Sequence, residues 1–252
     1  MNRLNKTIVA ASVVGISSAA FAGPMEEEHF DVWVQVESGQ LTTGSFQEDI
    51  GGDIFTPDVR VFGVELGEIS PNFADDPGFY ANSMPAGFEL GFNITDSLRV
   101  WNGSDFGTTA SLDMTAWLAF GVMGSPSATT PATAGGSTAG FNFATADGTG
   151  FFDSHPDFVL NAPATDGIYL LQLELTGTGV LSSEPFWIVF NQNLDEETHD
   201  AAIDWANTNL VPTPGMLMAF IPSLLAVSHR TRVNHLRVFP RGTPSPTGDG
   251  AP

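Results

Sequence analysis

Apolar and polar side chains alternate with a period of two over several stretches of the chain. Phe30, Val32, Val34 and Val36 alternate with His29, Asp31, Trp33 and Gln35, and Phe88, Leu90, Phe92 and Ile94 alternate with Glu89, Gly91 and Asn93. Successive side chains of a strand point to opposite faces, so the pattern predicts strands with one buried face. Further apolar runs lie at 59–66, 98–101, 112–120, 151–160, 168–175 and 186–190. Turn-forming clusters separate the runs: Gly51-Gly52, Asp76-Pro77-Gly78, Asn102-Gly103 and Asp166-Gly167. Seven or eight short strands without intervening helices predict an all-β fold, a single antiparallel β-sandwich of immunoglobulin-like or jelly-roll-like form. Residues 124–140 are rich in Ser, Thr, Ala, Pro and Gly and predict a mobile loop. One short helix is expected near the end of the domain. Asp195-Glu196-Glu197-Thr198 places carboxylates in a first turn, where the helix dipole favours them, and Ala201, Ala202, Ile203, Trp205 and Ala206 follow.

Both ends have a different pattern. Arg3 and Lys6 precede a short apolar stretch around Ile8 to Ile16, and Ala20-Phe21-Ala22 has small residues at both outer positions. Residues 1–22 are therefore expected to be a secretory signal peptide, leaving an acidic domain over 23–210. At the other end, Val211-Pro212-Thr213-Pro214-Gly215 opens an apolar run to Val227, interrupted by Pro222 and followed by His229-Arg230-Thr231-Arg232. A spanning helix needs about 20 apolar residues, so this run is marginal as a permanent anchor. Its trailing arginines would keep that end cytoplasmic. Packing of the segment on the domain is the alternative. Residues 233–252 are Pro/Gly/Thr-rich and are expected to be disordered.

Taken in order, the Pro-rich tetrapeptide, apolar run and Arg cluster of residues 211–232 resemble the PEP-CTERM sorting signal. Thr213 stands where the usual signal has Glu, and residues 233–252 extend the chain past the point where such proteins normally stop. The resemblance implies a bacterial protein exported to the cell envelope, outer surface or extracellular matrix. Exosortase-type sorting machinery and extracellular polysaccharide would be its partners, with membrane contact only through the C-terminal segment.

Charge narrows the partners further. The chain of 252 residues carries 29 Asp and Glu against 8 Lys and Arg. Between residues 23 and 210 only Arg60 and Arg99 oppose 28 carboxylates. Such a surface repels phosphate backbones and anionic lipid, which excludes nucleic-acid binding by the domain. No cysteine is present, so disulfides, thiolate metal sites and a Cys nucleophile are all excluded. Twenty Phe and 42% hydrophobic residues are enough for a packed core.

Within the domain every histidine has acidic neighbours: His29-Phe30-Asp31, Asp153-Ser154-His155-Pro156-Asp157 and Glu196-Glu197-Thr198-His199-Asp200. On strands, His29 and Asp31 share a face, as would Asp153, His155 and Asp157 if extended. On a helix, Glu196 and His199 are i,i+3 neighbours, a spacing used in carboxylate-bridged metal sites. Imidazole with carboxylate suits zinc, manganese or iron. His29, Asp31, Asp153, His155, Asp157 and His199 are thus the candidate ligands of a divalent metal, with zinc, calcium and manganese as the candidate ions. In so acidic a chain, His–Asp hydrogen bonds of purely structural role are the alternative.

His29-Phe30-Asp31-Val32 with Glu37-Ser38-Gly39-Gln40-Leu41 resembles the opening of secreted domains of the choice-of-anchor M type. Asp153-Ser154-His155-Pro156-Asp157-Phe158, Asp166-Gly167-Ile168-Tyr169 and the strand Glu184 to Phe190 resemble later parts of that family's pattern. Asp153 replaces the first His of the family's pair. The resemblance implies surface anchoring, and it carries a metal role to His29 and His155 only. Hydrolase, phosphate-loop and dinucleotide motifs are absent from the sequence, so no enzymatic activity is expected. Two functions compete: a metal-binding surface domain, and a matrix or carbohydrate-binding module in which Trp33, Trp101, Trp117, Trp187, Trp205, Tyr80 or Tyr169 stacks sugars.

Overall fold

The computed structural model describes residues 30–212. The signal peptide, His29, the sorting segment beyond Pro212 and the tail 233–252 lie outside the described residues. Strands β1 (Asp31–Glu37), β2 (Gln40–Gln47) and β3 (Ile54–Pro57) open the domain, followed by β4 (Val61–Glu65), β5 (Phe73–Ala74) and β6 (Phe79–Ala81). Next come β7 (Glu89–Ile94), β8 (Arg99–Val100), β9 (Thr108–Thr109), β10 (Met114–Trp117) and β11 (Ser127–Thr129). The last strands are β12 (Thr138–Thr145), β13 (Phe152–Ser154), β14 (Asp157–Leu160), β15 (Gly167–Gly177) and β16 (Phe186–Gln192), before the single helix α1 (Glu196–Asn209).

The architecture is an all-β sandwich with one short helix, and its strands fall into three sheets. Their orders are β13-β6-β1-β2-β3 (five-stranded), β11-β10-β14-β5 (four-stranded) and β12-β7-β15-β16-β4, which β8, paired with β15, and β9, paired with β8, bring to seven strands. Inner residues of all three sheets, among them Val32, Phe79, Met114, Phe158, Leu171 and Phe186, form one buried cluster. Completely burying side chains of this size stabilises by about 1.5–3 kcal/mol each. A smaller cluster lies on the far side of the seven-stranded sheet, where Ile168, Leu170, Trp187 and Val189 pack against Ala202 and Ala206 of α1. β16 is therefore buried on both faces, which is why 186–190 is apolar throughout instead of alternating. α1 starts where the carboxylates predicted it: Asp195 Oδ1 accepts from the Thr198 amide at 2.9 Å and the Thr198 hydroxyl at 2.8 Å.

Three expectations need correction. The sandwich is not wholly antiparallel: β1 pairs with β6, and β4 with β16, in parallel. The segment 124–140 is not a plain loop. It contains β11, which pairs with β10, and the start of β12, because Ala128 and Thr130 are small enough to be buried there. The run 151–160 is two strands. Pro156 has no amide to donate, and the chain turns there from the five-stranded sheet into the four-stranded one.

Candidate metal centre

Register brings the candidate residues into one row. The hairpin of β1 and β2 closes on Ser38 and Gly39, both at positive φ (51° and 83°), as a two-residue turn of the primed type requires. On its other edge β1 meets β6 with Val32 opposite Phe79, and β13 meets β6 with Ser154 opposite Phe79. One residue further along, Asp31, Gly78 and His155 lie side by side on three neighbouring segments of the chain, on the face turned away from the core. Strands spaced about 4.8 Å apart put Asp31 and His155 about 10 Å apart at the backbone. The residue between them has no side chain, so both can lean over it. A Cβ on Gly78 would overlap Asp31 Oδ1 and the His155 ring.

Asp76 reaches the same place from the turn that leads into β6. Donor atoms of Asp31, Asp76 and His155 all lie within 4.8 Å of one another. Donors on opposite sides of one ion stand about 4–5 Å apart, for bonds of about 2.0–2.6 Å, so these three can share a cation. Asp153 flanks them, with Oδ1 3.3 Å from His155 Nε2. The other ring nitrogen, Nδ1, is 3.0 Å from the Asp75 carbonyl oxygen and 3.5 Å from Asp76 Oδ1. A carbonyl can only accept, so Nδ1 donates to it. Metal-binding imidazoles are commonly oriented by such a bond from the nitrogen that does not ligate.

Each charge in the cluster shifts its neighbours. Hydrogen bonding to Asp76 raises His155 to about 9 from its ordinary 6.5; burial opposes this, while the Asp75 carbonyl, Asp31 and Asp153 add to it. Burial holds Asp31 above the usual carboxylate range, with the His155 charge acting against it and Asp153 and Asp76 adding to it. Without a metal, the imidazolium is the counter-charge for the carboxylates at neutral pH. A divalent cation would take over that role and displace its proton.

Of the residues singled out in the sequence, the structure brings together Asp31, Asp153 and His155, and leaves two elsewhere. Asp157 lies beyond Pro156 in the four-stranded sheet, where its Oδ2 accepts from the Phe120 amide at 2.5 Å. His199 is on the buried face of α1, 5% exposed. Its Nδ1 lies 2.9 Å from Glu65 Oε1 and its Nε2 2.9 Å from the Val189 carbonyl oxygen, so both nitrogens donate and neither is left for a metal. Burial is the largest influence on His199 and opposes its charge, but the hydrogen bonds to Glu65 and the Val189 carbonyl, with the charges of Glu65 and Glu196, together outweigh it and the pKa is raised. His29 lies outside the described residues. Asp76 and Gly78 entered the sequence only as a turn, and no local signal marks them as site residues, because the parallel register of β1 with β6 makes them so.

The aromatic candidates divide as well. Trp187 is buried under α1, while Trp101 and Trp205 stand 5.9 Å apart beside Phe106. Trp33 and Tyr80 instead occupy the outer face of the five-stranded sheet beside the acidic cluster. Tyr80 stacks on Phe46 at 3.8 Å and Trp33 packs on Phe55 at 4.8 Å. Comparison with known protein families, with curated proteins and with solved structures finds no match to this chain.

Proposed function

We propose that the chain is an exported, surface-sorted, non-catalytic β-sandwich protein that holds one divalent cation through Asp31, Asp76 and His155. The observation that carries this reading is the convergence of the three donor groups over Gly78, within 4.8 Å of one another. Two carboxylates with one imidazole suit zinc or manganese better than calcium, which prefers oxygen alone. Export and sorting rest on the sequence pattern of residues 1–22 and 211–232. The non-catalytic reading rests on the absence of enzyme motifs from the sequence.

A second reading, a carbohydrate-binding or matrix module, is favoured by the rings of Trp33, Phe55 and Tyr80 on the same outer face. Thermal unfolding of the full chain, stripped with EDTA and then supplied with zinc, manganese or calcium, separates the two. An ion at about a hundred times its dissociation constant stabilises by about 2.7 kcal/mol, roughly 5–10 °C for a domain of this size. Zinc or manganese should give this rise, and Asp31→Asn or His155→Gln should remove it. Equal rises in the variants, or none in the native protein, would refute the metal reading. A rise with oligosaccharides alone would favour the second.

A further inference from the structure

β4 is an edge strand, and its free edge opens into a groove. β16 pairs with it on one side only, from Trp187 opposite Val61 to Asn191 opposite Glu65. That parallel ladder uses alternate backbone groups: the Trp187 amide bonds the Arg60 carbonyl, and the Leu66 amide bonds the Asn191 carbonyl. The intervening amides and carbonyls of Val61, Gly63 and Glu65 point to the opposite edge, where no strand lies among the described residues. A cavity of about 400 Å³ borders this edge, lined by β4, by His199 and Ile203 of α1, and by Phe30 and Ser45 across the gap. Gly63 is exposed although Phe62 and Val64 on either side are buried. A Cβ there would overlap Ile203 Cδ1 and touch the His199 ring, so the missing side chain lets α1 sit close to the edge strand.

The groove has one sign of charge. Glu65, Glu68, Asp76, Glu196 and Asp200 all line it, and no Lys or Arg does so among the described residues. A second copy of so acidic a domain is repelled, whereas an extended segment with positive side chains is attracted. Alternate side chains of an added strand would project towards Glu196 and Asp200 on α1, and towards Glu68 and Asp76 on the other side. We propose that the open edge of β4 captures an extended basic peptide segment of a partner protein, which adds to the sheet as a further strand. This goes beyond cation binding and shares only Asp76 with it.

The test titrates the full chain with a fluorescent hexapeptide of alternating lysine and valine. A glutamate-for-lysine version and a version N-methylated at alternate amides serve as controls. The lysine peptide should bind at least about tenfold more tightly than either control, because one control reverses the charge and the other removes two or three hydrogen bonds. The double variant Glu68→Lys, Asp200→Lys, both changes on exposed residues, should weaken binding by about tenfold. Exchange of the Val61, Gly63 and Glu65 amide protons should slow when the peptide is bound. Asp31→Asn, which removes a cation ligand, should leave peptide binding unchanged, so failure of one site is distinguishable from failure of the other. Undiminished binding of the N-methylated peptide, or equal competition by lysine amide, would show that the groove takes a small organic cation. Slowed exchange without peptide, accompanied by dimers in light scattering, would show pairing with a second copy. Either result overturns the proposal, as does the absence of peptide binding.

Discussion

At the scale of single residues, a missing side chain decides the candidate centre. Gly78 stands between Asp31 and His155, and any side chain there would occupy the space where they converge. Alternation along β1 and β13 made Asp31, Asp153 and His155 legible in the sequence. Asp76 was not legible, because it lies 45 residues after Asp31 and no local pattern distinguishes it from a solvated turn. The charge on His155 is open to direct measurement. Its folded pKa of about 9 exceeds the ordinary 6.5, so its contribution to stability is fully present below about pH 6.5 and is lost as pH rises through about 9. His155 is 40% exposed at the side chain, so solvent screening keeps that contribution below about 1 kcal/mol. In the metal-free protein, the imidazole resonances should titrate near pH 9, and in Asp76→Asn the midpoint should fall towards 6.5. A native midpoint at 6.5 would mean that the cluster does not hold the imidazolium.

Among the elements, α1 shows how a histidine among carboxylates can be structural. Spacing placed Glu196 one turn from His199, yet the ring points inward to Glu65 of β4, which also accepts from Asn191 at 2.8 Å. This pair, with His199 buried and Glu65 partly exposed, ties the helix to the edge of the seven-stranded sheet. Glu65→Gln leaves the imidazole without its counter-charge and should cost about 3 kcal/mol in urea unfolding at pH 6. His199 has a raised folded pKa, so the contribution of the pair is present below the ordinary 6.5 and is lost as pH rises through the folded value. The difference between native and variant stability should therefore shrink at alkaline pH; a difference independent of pH would contradict the charged pair. The start of α1 was visible because Asp195 and its acidic neighbours are an N-terminal signal with a physical cause. β5, β6, β9 and β11 are two or three residues long, too short for any period to register. β2 was hidden for another reason: its inward face, opposite Val36, Val34 and Val32, is Leu41, Thr43 and Ser45, which does not read as apolar.

For the whole molecule, the sandwich could be anticipated because the long strands alternate or run apolar, but the division into three sheets could not. Period-two patterning is blind to which strand lies beside which, and the two parallel pairings that build the row across Gly78 and support β4 depend on that choice. Among the described residues, the main core and the α1 cluster draw on nothing beyond Val211. A chain ending at Leu210 should be soluble and unfold cooperatively, and protein recovered from the host envelope should begin at Gly23. Aggregation of the truncated chain, or recovery of Met1, would contradict the reading of the two ends as export and sorting signals. The central claim, that one cation binds over Gly78, is tested most directly by calorimetric titration of zinc into the EDTA-stripped full chain at pH 7.5. Running it in two buffers of different ionisation enthalpy counts the protons released. The account predicts one site per chain and release of about one proton, because the imidazolium of His155 must be deprotonated for the metal to bind. Binding should weaken at least about tenfold in Gly78→Ala, whose methyl group takes the space shared by Asp31 and His155. Binding without proton release, or equal affinity in Gly78→Ala, would place the metal elsewhere and contradict the account.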